Sequence, residues 1–148
     1  VIWDPVLKAS AGYEIHDPKM KSAWNDFLKS VDLYTPNWLE AKVFFGEEVY
    51  EELLSVNQDT AVLLKGGHRE EFLNQNKAED ELWVKGLCQR FSLPKSPYDK
   101  RGTGCALASG IAAGVAQDKS WAEALKVSKQ NLLNYFNSDS NKIGNWYV

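Results

Sequence analysis

A chain of 148 residues fits one domain built around one hydrophobic core. With 44% hydrophobic and 25% charged residues it is not a disordered chain, and a net charge of −3 leaves no electrostatic footprint for nucleic acid or an anionic membrane. The longest nearly apolar stretch, residues 105–116, is too short to span a bilayer and is interrupted by Ser109. No charged-then-apolar leader supports a secretory route. Two cysteines make no disulfide framework. Cys88, near Leu87 and Phe91, reads as a small buried hydrophobe, and Cys105 lies at a glycine-flanked turn. Both suit a reducing cytosol, so a cytoplasmic location is expected.

The chain opens directly on a strand, residues 1–7, with no initiator Met, as expected of a fragment of a longer domain. Asp17-Pro18 then offers an N-cap with proline in the first helical position. Met20, Ala23, Trp24, Phe27, Leu28 and Val31 follow at helical spacing, and the aromatic pair Trp24 and Phe27 reads as core. A short strand at 31–35 ends in Pro36-Asn37, and two short helices, 38–45 and 47–55, are divided at Gly46. Residues 60–65 form the clearest strand, with Ala61-Val62-Leu63-Leu64 between Asp59 and Gly66-Gly67. Leu82-Trp83-Val84 and Arg90-Phe91-Ser92-Leu93 flank Lys85-Gly86 as an antiparallel pair. A helix of small residues runs over 103–117, where Gly110 and Gly114 allow close approach to a sheet. Ser120-Trp121-Ala122-Glu123 is a capping box that opens a last helix to about residue 136; the polar, then aromatic stretch 137–148 has no assignment. Strands alternating with helices predict a mostly parallel sheet, whose ligands bind beyond the carboxyl ends of its strands.

Four motifs fall at such ends. Gly102-Thr103-Gly104-Cys105 opens the small-residue helix, where turned backbone amides and the helix dipole suit a phosphate or a transferring phosphoryl group. A helix N-terminus favours the thiolate, so Cys105 could act as a base on a substrate hydroxyl. A tight packing turn with an inert thiol explains the same tetrapeptide. Asn37 and Glu40, three apart at a helix start, either hold a hydrated Mg²⁺ or form a cap. Lys65-Gly66-Gly67-His68 leaves the best strand; Lys65 could neutralise nucleotide phosphates, or simply be a solvated strand-end lysine. His68 reads as a loop histidine bonded to backbone, and His16 has no evident partner. Asp4-Pro5 closes the first strand with a carboxylate that needs metal, lysine or backbone donors.

In order, Asp4-Pro5-Val6, Thr35-Pro36-Asn37 with Glu40-Ala41, Lys65-Gly66-Gly67-His68 and Gly102-Thr103-Gly104-Cys105 resemble the ribokinase-like superfamily. Within it the chain is similar to the hydroxymethylpyrimidine/phosphomethylpyrimidine kinases of thiamin synthesis. The cysteine after Gly-Thr-Gly is the most telling residue, because most of the superfamily carries aspartate there. The resemblance implies an α/β fold: a ribokinase-like three-layer αβα domain with a mostly parallel sheet, here lacking its amino-terminal strands. Residues 1–148 would then be the carboxyl-terminal part of a single kinase domain.

The same resemblance implies roles. Cys105 takes the place of the catalytic base, and the amides of Gly102, Thr103, Gly104 and Cys105 form the anion hole. Lys65, with Gly67 allowing close approach, touches the ATP phosphates. Asn37 and Glu40 organise Mg²⁺ largely through water, with Asp4 in support. The substrate is a small pyrimidine alcohol or its phosphate, a homodimer is expected, and nucleic acid and membrane are not. Two departures stand out: Arg101 replaces the histidine usual before Gly-Thr-Gly and is expected to contact phosphate, and residues 7–12 follow the family only loosely. A pyridoxal or pyridoxine kinase of the same superfamily and a non-catalytic nucleotide-binding relative are the alternatives. Retention of Cys105, Lys65, Asn37 and Glu40 together argues against the second.

Overall fold

The structure is a computed structural model and describes residues 1–7, 21–56, 59–67, 77–98 and 100–138. The expected Asp17-Pro18 cap, His16, the stretch after Leu7, His68 and the tail beyond Ser138 lie outside these residues.

Among the described residues five strands form one sheet in chain order: β1 (Ile2–Trp3), β2 (Leu33–Tyr34), β3 (Ala61–Leu64), β4 (Lys77–Val84) and β5 (Leu87–Pro94). β1 is shorter than the apolar run predicts, because Pro5 cannot donate to a ladder. β1, β2 and β3 are parallel, with Ile2 opposite Leu33 and Leu33 opposite Ala61. β3–β4 and β4–β5 are antiparallel. The expected mostly parallel sheet therefore holds for the first three strands and gives way at β4. For β4–β5 the cause is local: Val84 pairs with Leu87 across a two-residue turn, and such a turn can join only antiparallel neighbours. Lys85 and Gly86 both have positive φ, 49° and 77°, as a tight hairpin turn of this twist requires.

Alternation along the strands sends side chains to two cores. Tyr34, Val62 and Leu64 face helices α1 (Lys21–Leu28), α2 (Trp38–Phe45) and α3 (Val49–Val56), where Trp24, Phe44, Phe45 and Leu53 close the layer. Leu33, Ala61, Leu63 and Leu82 face α4 (Thr103–Val115) and α5 (Trp121–Asn137), meeting Leu107, Ile111, Ala124 and Leu125. The result is a three-layer αβα arrangement. Phe27 departs from the expected core: it packs edge-on against Trp3 at 4.8 Å yet stays 42% exposed.

Two further expectations are corrected. Cys88 is exposed, not buried, because among the described residues β5 is the outermost strand and pairs only with β4. Gly110 and Gly114 fit α4 to α5, not to the sheet. A Cβ on Gly110 would lie 2.9 Å from Ser128 Oγ, and one on Gly114 only 2.8 Å from Ala124 Cβ. Ser120 caps α5 through the box with Glu123 that its spacing predicts.

Candidate active site

The parallel strands β1, β2 and β3 end at one edge of the sheet, and the chain carries a polar residue just past each end. Asp4 follows β1, Thr35 and Asn37 follow β2, and Lys65 follows β3. Backbone bonds fix the three exits together. Thr35 N–H donates to Trp3 O at 2.9 Å, and Lys65 N–H donates to Pro36 O at 2.8 Å.

The side chains converge in turn. Lys65 Nζ donates to Asp4 Oδ1 at 2.6 Å, and Thr35 Oγ1 donates to the same oxygen at 3.1 Å. Glu40 Oε2 lies 4.0 Å from Lys65 Nζ. It also accepts the Asn37 N–H at 2.6 Å, while Asn37 Oδ1 accepts the Glu40 N–H at 2.8 Å. The Asn37–Glu40 pair is thus a capping box for α2, and that cap holds the carboxylate beside the lysine. Asp4, Glu40 and Lys65 side chains are only 13%, 12% and 15% exposed, so their charges act through little water.

The turn before α4 arrives on this pair from the other side of the chain. A Cβ built on Gly104 would stand 3.0 Å from Asp4 Oδ2 and 3.4 Å from Lys65 Nζ, so glycine is what lets the turn come this close. Gly102 sits at the N-cap in the left-handed region, φ 73°, with no side-chain cap bond. The first intrahelical bond runs from Ala106 N–H to Gly102 O, so the amides of Thr103, Gly104 and Cys105 precede the ladder of α4. Cys105 is exposed and its thiol is free. Arg101 is exposed at the mouth of the turn, and Gly67 is exposed one residue beyond Gly66.

Electrostatics match the geometry. Burial pushes the Glu40 carboxyl above its usual range; the Asn37 amide and Lys65 oppose that rise, and the Asp4 charge adds to it. Burial, then the charges of Glu40 and Asp4, push the Tyr34 phenol far up. Its hydroxyl is buried without a hydrogen-bond partner among the described residues. Two carboxylates therefore share one ammonium, and a cation would relieve the excess negative charge. Among the described residues no three His, Cys, Asp or Glu side chains are grouped so that they could hold a metal ion by themselves. Mg²⁺ suits that donor set, because it binds through one or two carboxylates and otherwise through water and substrate phosphates.

The structure thus brings together Asp4, Asn37, Glu40, Lys65 and Gly104, with Gly102, Thr103 and Cys105 in the same turn. Sequence reading gave no role to Thr35, although it stands inside a quoted motif. It also overlooked Tyr34, a tyrosine that reads as an ordinary strand residue, and Asp80, whose place in the run Glu79-Asp80-Glu81 suggests solvent. No local signal marks Asp80 as buried.

The fold is shared with solved pyridoxal kinases. The pyridoxal kinase of Staphylococcus aureus in complex with AMP-PCP and pyridoxal superposes with a TM-score of 0.76, at 21% identity, over 99% of this chain and 56% of that one. The ADP complex of Bacillus subtilis pyridoxal kinase gives 0.71 at 21% identity, over 97% and 58%. The sequence goes further: residues 1–148 match the family described as phosphomethylpyrimidine kinase, and the chain belongs to that family. It is 32% identical over 157 residues to the hydroxymethylpyrimidine/phosphomethylpyrimidine kinase of Aquifex aeolicus (strain VF5), covering 99% of this chain and 60% of that enzyme. Its counterpart from Rhizobium meliloti (strain 1021) is 30% identical over 142 residues, with 87% and 51% covered. The chain spans between half and three-fifths of the length of these two relatives. Among the described residues no helix is long and apolar enough to cross a membrane.

Proposed function

We propose that the complete protein carrying this chain transfers the γ-phosphoryl group of ATP to hydroxymethylpyrimidine, to its monophosphate, or to both. The observation that carries the reading is the approach of Gly104 to the Asp4–Lys65 pair. It places a phosphate-type helix N-terminus, a lysine tip and the carboxylate edge around one point. The family supports the chemistry, and the AMP-PCP and ADP complexes of the neighbouring folds support nucleotide use.

In this reading Lys65 and Arg101 engage the nucleotide phosphates, and Gly67 leaves room for them. The amides of Gly102, Thr103, Gly104 and Cys105 receive the charge that develops on the transferring group. Cys105 takes the proton of the substrate hydroxyl as that oxygen bonds to the γ-phosphorus and the bond to ADP breaks. When the monophosphate is the acceptor, one of its phosphate oxygens attacks and no hydroxyl proton moves. Asp4 and Glu40 would hold Mg²⁺, with Asn37 keeping Glu40 in place; the ion would neutralise phosphate charge. Positioning and charge neutralisation supply most of the acceleration in such transfers.

The test is Cys105→Ala in the complete protein. Phosphorylation of the pyrimidine alcohol should fall by about 10²-fold or more, as loss of a general base does, with nucleotide binding little changed. Unchanged turnover would remove Cys105 from the base role. The same assay run on pyridoxal distinguishes the substrate class, and a strong preference for pyridoxal would overturn the pyrimidine reading.

A further inference from the structure

We infer that α5 is the strut that keeps the Lys65 loop and the Gly102–Cys105 turn in register, with Asp80 and Tyr135 as its positioning residues; this rests on the proposed phosphotransferase reading. Pairing of β3 with β4 ends at Leu64 opposite Glu81, and while the Lys65 N–H goes to Pro36 O, the Gly66 N–H lies past the β4 ladder. The Asp80 side chain takes over: its Oδ1 accepts the buried Gly66 N–H at 2.9 Å. Its Oδ2 is held by the Lys129 ammonium, which projects from α5. Asp80 and Lys129 are 7% and 5% exposed.

The same helix makes a second attachment. Tyr135, 5% exposed, donates its hydroxyl to the Arg101 carbonyl at 3.0 Å, immediately before Gly102. Just before the first attachment α5 lies against the glycine face of α4, where Ser128, the neighbour of Lys129, fills the space beside Gly110. One rigid element therefore grips the loop that carries Lys65 and the turn that carries Cys105. A buried ion pair is costly to desolvate, and well-packed apolar side chains often serve stability as well. Apolar side chains cannot accept the Gly66 amide, and that is the property the positioning role requires.

The experiment compares two double variants in the complete protein, with ATP and the pyrimidine alcohol as substrates. Asp80→Asn/Lys129→Met keeps an acceptor oxygen without the charges, and Asp80→Leu/Lys129→Met removes the acceptor. The first should retain kcat within about threefold, while the second loses about tenfold or more with a similar thermal midpoint, because a small misplacement of a reacting group is enough. Tyr135→Phe should lower kcat while leaving the KM for ATP nearly unchanged. Wild-type kcat in both Asp80→Leu/Lys129→Met and Tyr135→Phe would overturn the inference. If the double variants do not fold, Tyr135→Phe decides alone, and wild-type kcat again overturns it. Lys65→Met in the same assay separates the two levels. Full turnover there sinks the phosphate role of Lys65 and the strut with it. Collapse there, beside unaffected strut variants, sinks only the strut.

Discussion

Asp4 and Lys65, 61 residues apart in the chain, meet at 2.6 Å where β1 and β3 end, and Gly104 comes so near that a Cβ on it would stand 3.0 Å from the one and 3.4 Å from the other. A lysine at a strand end is ordinarily solvated. Here it is held by one carboxylate, approached by a second, and covered by a helix N-terminus.

Gly104→Ala tests how closely that cover must fit. The added methyl would stand 3.0 Å from Asp4 Oδ2, so the carboxylate or the turn must yield. We expect kcat to fall about tenfold, since sub-ångström placement governs such transfers. Steady-state kinetics check this, with circular dichroism showing an intact fold.

Glu40→Gln tests the metal. The amide keeps an oxygen for the Asn37 N–H, so α2 remains capped, but one of the two carboxylates facing Lys65 loses its charge. Mg²⁺ should raise the thermal midpoint of the wild type and raise that of the variant much less. Chelation with EDTA should lower the wild-type midpoint back and abolish transfer. Equal Mg²⁺ responses in the two proteins would remove Glu40 from the metal site.

Gly114→Ala tests the α4–α5 contact. Its methyl would meet Ala124 Cβ at 2.8 Å and Ala124 Cα at 3.1 Å, and the backbone atom cannot swing away. Overpacking of this kind costs about 1–3 kcal/mol. It outweighs the gain of up to about 1 kcal/mol that alanine brings to a helix interior. Urea unfolding should therefore show a net loss of stability.

Ser120→Ala tests the α5 cap and its pH dependence. Loss of the hydroxyl should cost about 1 kcal/mol. The Ser120 hydroxyl, then its backbone N–H, hold the Glu123 carboxyl below its usual value of 4.5. A depressed carboxyl contributes stability that is present above the unfolded value and lost as pH falls through the folded one. The difference between wild type and Ser120→Ala should consequently be larger at neutral pH than in strong acid, as urea midpoints at the two conditions would show.

What the sequence made legible is what is decided within a few residues. Both capping boxes, Asn37 with Glu40 and Ser120 with Glu123, are three-residue patterns and stand where the spacing puts them. The Lys85-Gly86 hairpin is likewise local. The exposure of Cys88 was hidden because it depends on which strand ends the sheet. The partner of Gly110 and Gly114 was hidden because small residues announce close approach but not to what. The Asp80–Lys129 pair joins residues 49 apart, and no periodicity encodes such a meeting. The site itself was readable as separate motifs, yet only the parallel register of β1, β2 and β3 brings them to one edge.

One oxygen of Glu40 closes the first turn of α2 and also faces Lys65. A slip of that helix by a single residue would therefore carry the carboxylate away from the ammonium. Selection on catalysis and selection on folding act here on the same atom, so position 40 should tolerate less drift than either duty alone would impose.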